Sequence, residues 1–461
     1  MDDSYTTALA AYSARIVRFP ISRSIGALYV RNVGQCWEPY GTAQGLVPVA
    51  ANKELLLVCQ CRSAPLDAMR ELGPHDLDAL VLFSPNIYQT LSYARELTGI
   101  RELELWRCTG SREGLPHVVD FHHLRSLQIA ETLLDQGLLA HLIVSPSLVD
   151  LRLTNCLLTD DVFGSFRHFH QLRSLDVCSN RLTGSFLHGM QEAPLLTKLE
   201  LGGNELTDNA LRHFRDNETI TMLGLAGMRS FGQGLRYITT MPSLTKLDLS
   251  FTRVEEAYFK SLQDVPRLTT LNVGHSTVSD EGLDIISHMS RLHDLDISHT
   301  SVSDNGLVHL ARMQNLKTLT LEGLDVTNEG LYHLQELDML ENLDLRCRHV
   351  SGAALVYVKN NRNLRSLNLA EIPLSADDLV HVQNLAYITD LDLSSCSVTG
   401  GALRYLDKMF RLRSLRLAGT NIVDADIAFM VDPFVKTQGR GTLRWGLLLS
   451  PAGWRGCVGC R

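Results

Sequence analysis

Residues 268–291 read LTTLNVGHSTVSDEGLDIISHMSR, and residues 292–315, which follow directly, read LHDLDISHTSVSDNGLVHLARMQN. Both stretches carry an apolar residue at places 1, 4 and 6, Val at 11, Ser at 12, Asp at 13, Gly at 15 and Leu at 16. The period is 24 residues. Extended in both directions, place 1 falls at Ile100, Leu124, Leu148, Leu172, Leu196, Ile220, Leu244, Leu268, Leu292, Leu316, Leu340, Leu364, Ile388 and Leu412. Fourteen repeats therefore run through residues 100–435 without an insertion.

Positions 4 and 6 are apolar and alternate with mostly polar 3, 5 and 7, the period-2 pattern of a short strand with one buried face. Position 12 is usually Ser or Thr, as at Thr159, Thr207, Ser279, Ser303, Thr327 and Ser375. It precedes apolar residues spaced three apart, such as Leu283 and Ile286, so it predicts a helix N-cap. Asp208, Asp280 and Asp304 follow it and suit the positive end of a helix dipole. Each repeat thus predicts strand, turn and short helix. One such unit cannot bury its own apolar face, so neighbours must stack, with strands about 4.8 Å apart in one parallel sheet.

The pattern L-x-x-L-x-L-x-x-[N/C/T]-x-[LV]-[ST]-[DN]-x-G-L resembles the leucine-rich repeat family, in the style of its F-box-type, cysteine-containing members. The resemblance implies an α/β solenoid, a horseshoe with a parallel sheet on the concave face and short helices on the convex face. Upstream, Leu77, Leu80 and Leu82 predict a further repeat 23 residues earlier, with weaker matches at Lys53, Leu56 and Val58 and at Ile25, Leu28 and Val30. The organisation expected is an N-terminal amphipathic cap over 1–20, degenerate repeats over 21–99, fourteen regular repeats over 100–435, and a cap or tail over 436–461. In that last segment Leu443, Trp445, Leu447 and Leu449 alternate as a terminal strand would. No compact Leu-Pro-start helical pattern of an F-box stands between residues 1 and 99.

The 461 residues are 45% hydrophobic and 20% charged, with 43 Lys plus Arg against 51 Asp plus Glu and a net charge of −8. That balance is globular and argues against a generally basic nucleic-acid surface. Asp2 and Asp3 stand where a signal or transit peptide would be positive, and no run of about 18 apolar residues suggests a membrane span, so the expectation is a cytoplasmic protein. The ten cysteines are too scattered for a disulfide framework. Cys108, Cys156 and Cys396 share position 9 and read as structural. Cys457 and Cys460 form a CxxC without a second pair, and read as tail thiols.

Phosphate-loop, zinc-helix and nucleophile-elbow motifs are missing, which argues against an enzyme and against a cofactor. His275 and His299, both at position 8 beside Asp294 and Asp296, are the closest approach to a metal site, and read as a polar surface. The outward strand positions hold twelve acids against five bases over positions 3, 5 and 7. Aspartate is a poor strand former, and like charges on neighbouring strands repel, so the ladder suggests a docking surface for a cationic protein. The candidate partner-binding residues are Trp106, Asp176, Glu200, Met222, Asp248, Phe251, Asp294, Asp296, Asp344 and Asp392. Arg101, Arg125, Arg173, Lys317, Arg365 and Arg413 at position 2 are expected to compensate part of the acid from one rim. The function expected is a non-enzymatic protein-binding scaffold or adaptor; the alternatives are a ubiquitin-ligase substrate receptor, and a regulatory subunit of an enzyme such as a nucleotide cyclase.

Overall fold

The computed structural model describes residues 15–60, 66–83, 86–109, 118, 120–134, 147–163, 170–228, 232–406, 409–423 and 426. The segment 436–461, with its expected terminal strand and its CxxC, lies outside these. The chain divides into two compact units, one up to Leu206 and one from Thr207.

The first unit begins with antiparallel pairing. Strand β1 (Arg15–Arg18) lies against β4 (Leu46–Val49), and β2 (Ala27–Asn32) pairs on one side with β3 (Glu38–Thr42) and on the other with β5 (Lys53–Gln60). From β5 onward every pair is parallel: β6 (Ala79–Phe83), β7 (Glu102–Trp106), β8 (Ser126–Ala130), β9 (Asp150–Thr154), β10 (Ser174–Asp176) and β11 (Lys198–Glu200).

Two expectations for 21–99 differ from this arrangement. Ile25, Leu28 and Val30 do not open a repeat, because β2 runs antiparallel to β5 and occupies the edge that a preceding repeat would have filled. In β5 the residues in line with Leu80 and Leu82 are Leu57 and Cys59, not Leu56 and Val58. A one-residue slip exchanges the two faces of a strand. The run ELLLVC is apolar on both faces, so its alternation could not fix the face. Leu56 packs on the outward side with Ala79 and Val81, against Tyr29, Trp37, Phe83 and Trp106.

The second unit holds β12 (Met222–Gly224), β13 (Lys246–Asp248), β14 (Thr270–Asn272), β15 (Asp294–Asp296), β16 (Thr318–Thr320), β17 (Asn342–Asp344), β18 (Ser366–Asn368), β19 (Asp390–Asp392) and β20 (Ser414–Arg416). All eight pairings are parallel and offset by 24, so the position 4 leucines from Leu223 to Leu415 form one buried row. Among the described residues β20 pairs only with β19, so the ladder stays open rather than closing into a barrel.

Behind the strands the expected helices are mostly 3-10 segments of three to eight residues, and the longest described α-helices, Ile87–Ala94 and Asp280–Ser287, have eight residues each. A 24-residue period leaves few residues for this segment, and the tighter 3-10 winding spans its length in short pieces. Ser279 and Ser303 cap as expected, accepting the N–H of Glu281 and Asn305, and Ser375 forms a capping box with Asp378.

The acid at position 13 does more than complement a dipole. It reaches to the next repeat, where it accepts the position 12 N–H: Glu256 from Ser279 (2.7 Å), Asp280 from Ser303 (2.7 Å), Asp304 from Thr327 (2.8 Å), and Asn328 from Ser351 (2.9 Å) in the same way. Gly306 and Gly330 at position 15 leave the room, since a Cβ there would stand 2.3 Å from Asp280 Oδ1 and 2.2 Å from Asp304 Oδ1. In the first unit Asp160 braces Thr183, Gly184 and Phe186. Burial alone would raise its carboxyl, but the Thr183 hydroxyl and these N–H groups outweigh burial and hold it below the ordinary carboxylate range. The stability this confers is present above the unfolded-state value and is lost as pH falls through the lower folded value.

The braces decide a prediction. Ser303 has both a capping bond and a hydroxyl donated to Asp280 (2.6 Å), whereas Thr207 makes no capping bond, and the preceding repeat has Gly184 at position 13. Ser303→Ala is therefore expected to cost about 1 kcal/mol, and Thr207→Ala to stay within about 0.5 kcal/mol. Thermal melts of the two variants check this, and a larger loss at Thr207 would contradict it. Ser174, although at an outward strand position, is buried and engages Asp150, so it is not a silent surface site.

Candidate functional site

The sheet's outward positions are set by the strands described above, and the structure places every candidate residue on or beside that face. Trp106, Asp176 and Glu200 belong to the first unit. Met222, Asp248, Phe251, Asp294, Asp296, Asp344 and Asp392 belong to the second.

In the first unit the candidates are engaged internally. Trp106 stacks on Phe83 with centroids 6.0 Å apart, and its Nε1 donates to Glu104 at 3.2 Å. Burial pushes the Glu104 carboxyl up, against the Trp106 bond and the Arg152 charge, which lower it. Arg31 pairs with Glu54 at 2.7 Å and with Glu102, and lies 4.1 Å over the Trp37 ring. Lys198 stands 3.4 Å from Glu200. Asp176 accepts the Cys178 N–H at 3.1 Å.

That last bond recurs wherever position 5 is Asp or Asn. Asp248 accepts from Ser250 (2.8 Å), Asn272 from Gly274 (2.9 Å), Asp296 from Ser298 (2.9 Å), Asp344 from Arg346 (3.1 Å), Asn368 from Ala370 (3.1 Å) and Asp392 from Ser394 (2.9 Å). The chain leaves the strand here, so its position 7 N–H needs an acceptor, and Asp or Asn supplies one two residues back. This accounts for the ladder of Asp in strands that disfavour it. One oxygen of each carboxylate is committed in this way; the other takes Arg346 and Asn368 at Asp344 and Arg416 at Asp392, and has no partner among the described residues at Asp248 and Asp296.

Ion pairs then sort the acids. Arg346 binds Asp344 (2.8 Å) and Glu322 (2.6 Å), and Arg416 stands 3.3 Å from Asp392. These strands also frame a shallow groove of about 180 Å³. Asp248, Asp294 and Asp296 have no ion pair among the described residues; Asp294 accepts only the Thr270 hydroxyl, at 2.9 Å. Of the position 2 bases, Lys317 and Arg365 pair with Glu341 and Arg101 with Glu54 rather than with these acids.

Beside the unpaired acids stands a feature the sequence only half revealed. Phe251, His275 and His299 occupy position 8 of three consecutive repeats, and their rings stack in a column with successive centroids 4.2 Å apart. All three backbones are left-handed, with φ of 57°, 56° and 52°. Gly227 and Gly323 hold the same position and conformation on either side. His299 Nε2 lies 3.8 Å from Glu322. Among the described residues no group of three or more metal-ligating side chains is assembled. The signal was one position, planar in three repeats running.

The position 9 cysteines are structural in geometry. Cys156 donates to the Ile129 carbonyl (3.4 Å) and Cys396 to that of Leu369 (3.0 Å), and burial pushes each thiol up to about 11. Cys36, in the turn between β2 and β3, is disulfide-bonded, while the other described cysteines are not.

With this geometry in place, a family model described as Leucine Rich repeat matches residues 267–286, within the stretch whose period set the register. The repeats are leucine-rich repeats. No curated protein matches the chain in sequence. Among solved structures, an internalin from Listeria monocytogenes is 18% identical over 65% of this chain and 88% of its own, with a TM-score of 0.43. A leucine-rich repeat protein from Leptospira interrogans is 17% identical over 78% and 95%, with a TM-score of 0.46. A plant peptide hormone receptor in complex with its hormone is 13% identical over 77% and 61%, with a TM-score of 0.37. In these leucine-rich repeats the inward positions 1, 4 and 6 are spent on packing. No described helix is long and apolar enough to cross a membrane.

Proposed function

We propose that the chain is a non-enzymatic protein-interaction scaffold, whose partner docks a cationic surface on the outward face of the second unit, centred on Asp248, Asp294 and Asp296. The observation that carries this reading is the pairing of unneutralised carboxylates with an exposed aromatic column. Left-handed backbone costs a residue with a Cβ about 1 to 2 kcal/mol, and stacking returns about 0.5 to 1.5 kcal/mol per ring pair. Glycine fills the same position at Gly227 and Gly323 at no such cost, so the rings add little to stability. What they do add is surface: Phe251 is 61% exposed. Large exposed aromatics beside complementary charge are the side chains that anchor protein interfaces. A non-enzymatic role accords with the sequence, which offers no catalytic motif. A cytoplasmic setting accords with the free buried thiols, and the Cys36 disulfide stands against it.

Reversal of the acids to lysine would remove the turn-closing acceptors as well as the charge, so the clean variant is Asp248→Asn with Asp294→Asn and Asp296→Asn. The asparagines at 248 and 296 keep the bond to the position 7 N–H. The triple variant is expected to melt within a few degrees of the parent, to associate more slowly with the partner captured by affinity purification and mass spectrometry, and to show a shallower salt dependence. Unchanged kinetics at low salt would place the partner elsewhere. Cullin-adaptor subunits in the captured set would favour the ligase receptor, and a nucleotide cyclase would favour the regulatory subunit.

A further inference from the structure

We propose that the notch beside Phe251 and Asp248 binds the guanidinium of an arginine side chain presented by the docking protein. This rests on the protein-docking reading above and narrows it to one side chain. Register sets up the notch. Gly224 of β12 lies directly opposite Asp248 of β13. The repeat that begins at Ile220 carries Gly224, Ala226 and Gly227 at positions 5, 7 and 8, where the next repeat carries Asp248, Ser250 and Phe251. No side chain larger than a methyl stands at these positions next to Phe251. One face of its ring is covered by His275, nearly parallel at 7° and 4.2 Å, and the ring remains 61% exposed.

The notch therefore has a flat aromatic wall and a carboxylate. Asp248 Oδ1 is held by the Ser250 N–H at 2.8 Å, which fixes the side chain while leaving Oδ2 to accept. The occupant that satisfies both walls is planar and cationic and carries N–H donors in its plane. A guanidinium stacks on the ring as the next plate of the column and donates edge-on to the carboxylate. An ammonium is a compact, strongly hydrated point charge that cannot do both. A neutral aromatic would stack and leave the carboxylate without a donor.

The test uses the full chain and a phage-displayed library of random heptapeptides. Enriched peptides are synthesised with their arginine retained, replaced by lysine, and replaced by the uncharged planar citrulline. The expected result is enrichment of arginine-containing peptides, with lysine and citrulline each weakening binding about tenfold or more. On the protein, Phe251→Gly removes the ring and suits the left-handed backbone, and Asp248→Asn removes the charge while keeping the turn bond. Each is expected to weaken binding about tenfold, whereas Asp377→Asn, on the helical side and 3.4 Å from Arg404, changes it less than about twofold. Phe251→Tyr keeps the ring and retains binding, which separates loss of the site from loss of fold. Lysine peptides binding within twofold of arginine peptides would overturn the arginine notch and leave cationic docking standing. Binding that is indifferent to both Asp248→Asn and Asp296→Asn, or a library that yields no binder, would overturn both readings.

Discussion

Leu295→Ala is expected to lower the unfolding free energy by about 2 to 5 kcal/mol, the range for removing a large aliphatic side chain from a packed core. Leu295 is 1% exposed and sits in the position 4 row, paired in register with Leu271 on one side and Leu319 on the other. A solenoid repeat shares its core with its neighbours, so the cavity weakens both interfaces at once. The place to look is the local stability of adjacent strands. Hydrogen exchange of the amides in β14, β15 and β16 is expected to accelerate together, with a matching drop in the denaturant midpoint. Val308→Ala, at a site 44% exposed on the helical side, is the comparison and is expected to stay within about 0.5 kcal/mol. Indistinguishable exchange in the two variants would mean that the inward register is misassigned.

That register was the most legible property of the sequence, because burial acts on every repeat alike. A constraint applied fourteen times leaves a period that one reading of the leucines recovers. What was not legible has one cause in common: it is set by backbone geometry and pairing, which the apolar pattern does not encode. The acid at position 13 looked like a dipole partner inside its own repeat, yet Asp280 and Asp304 spend their oxygens on Ser303 and Thr327 in the next one. Position 5 looked like a run of free charge, and only the turn geometry shows that Asp248 and Asp296 close their own strands. The direction of β2 was invisible for a related reason. Alternation at Leu28 and Val30 is the same whichever way the strand runs, and nothing local distinguishes a preceding repeat from a hairpin.

The candidate site divides along the same line. Phe251, Asp248 and Asp296 could be named from their outward positions. His275 and His299 could be placed at one position and were read as polar surface, because stacking depends on the left-handed backbone that aims all three rings along the column. Trp106 differs from them: its size suggests an anchor for a partner, and the structure stacks it on Phe83 and bonds it to Glu104.

Asn180→Ala is expected to destabilise the first unit by about 3 kcal/mol or more, since each buried polar group left without its partner costs about 1 to 3 kcal/mol. The Asn180 side chain is buried at position 9, inside the turn. Its Oδ1 accepts the N–H groups of Cys156 (2.9 Å) and Leu158 (3.1 Å), and its Nδ2 donates to the carbonyls of Leu153 (2.7 Å) and Val177 (2.8 Å). Alanine leaves both donors and both acceptors without these partners in a buried turn. The chain supplies its own partial remedy. Thr132, at the same position two repeats earlier, accepts one N–H from Cys108 (3.0 Å) and donates to Ala130 (2.9 Å). Asn180→Thr should therefore recover part of the loss by serving one donor where asparagine serves two. Amide exchange reads this residue by residue: both Cys156 and Leu158 accelerate in the alanine variant, and one of the two stays protected in the threonine variant. If alanine and threonine proved equal, the turn would be held by its apolar packing, and the hydrogen bonds of Asn180 would be incidental to it.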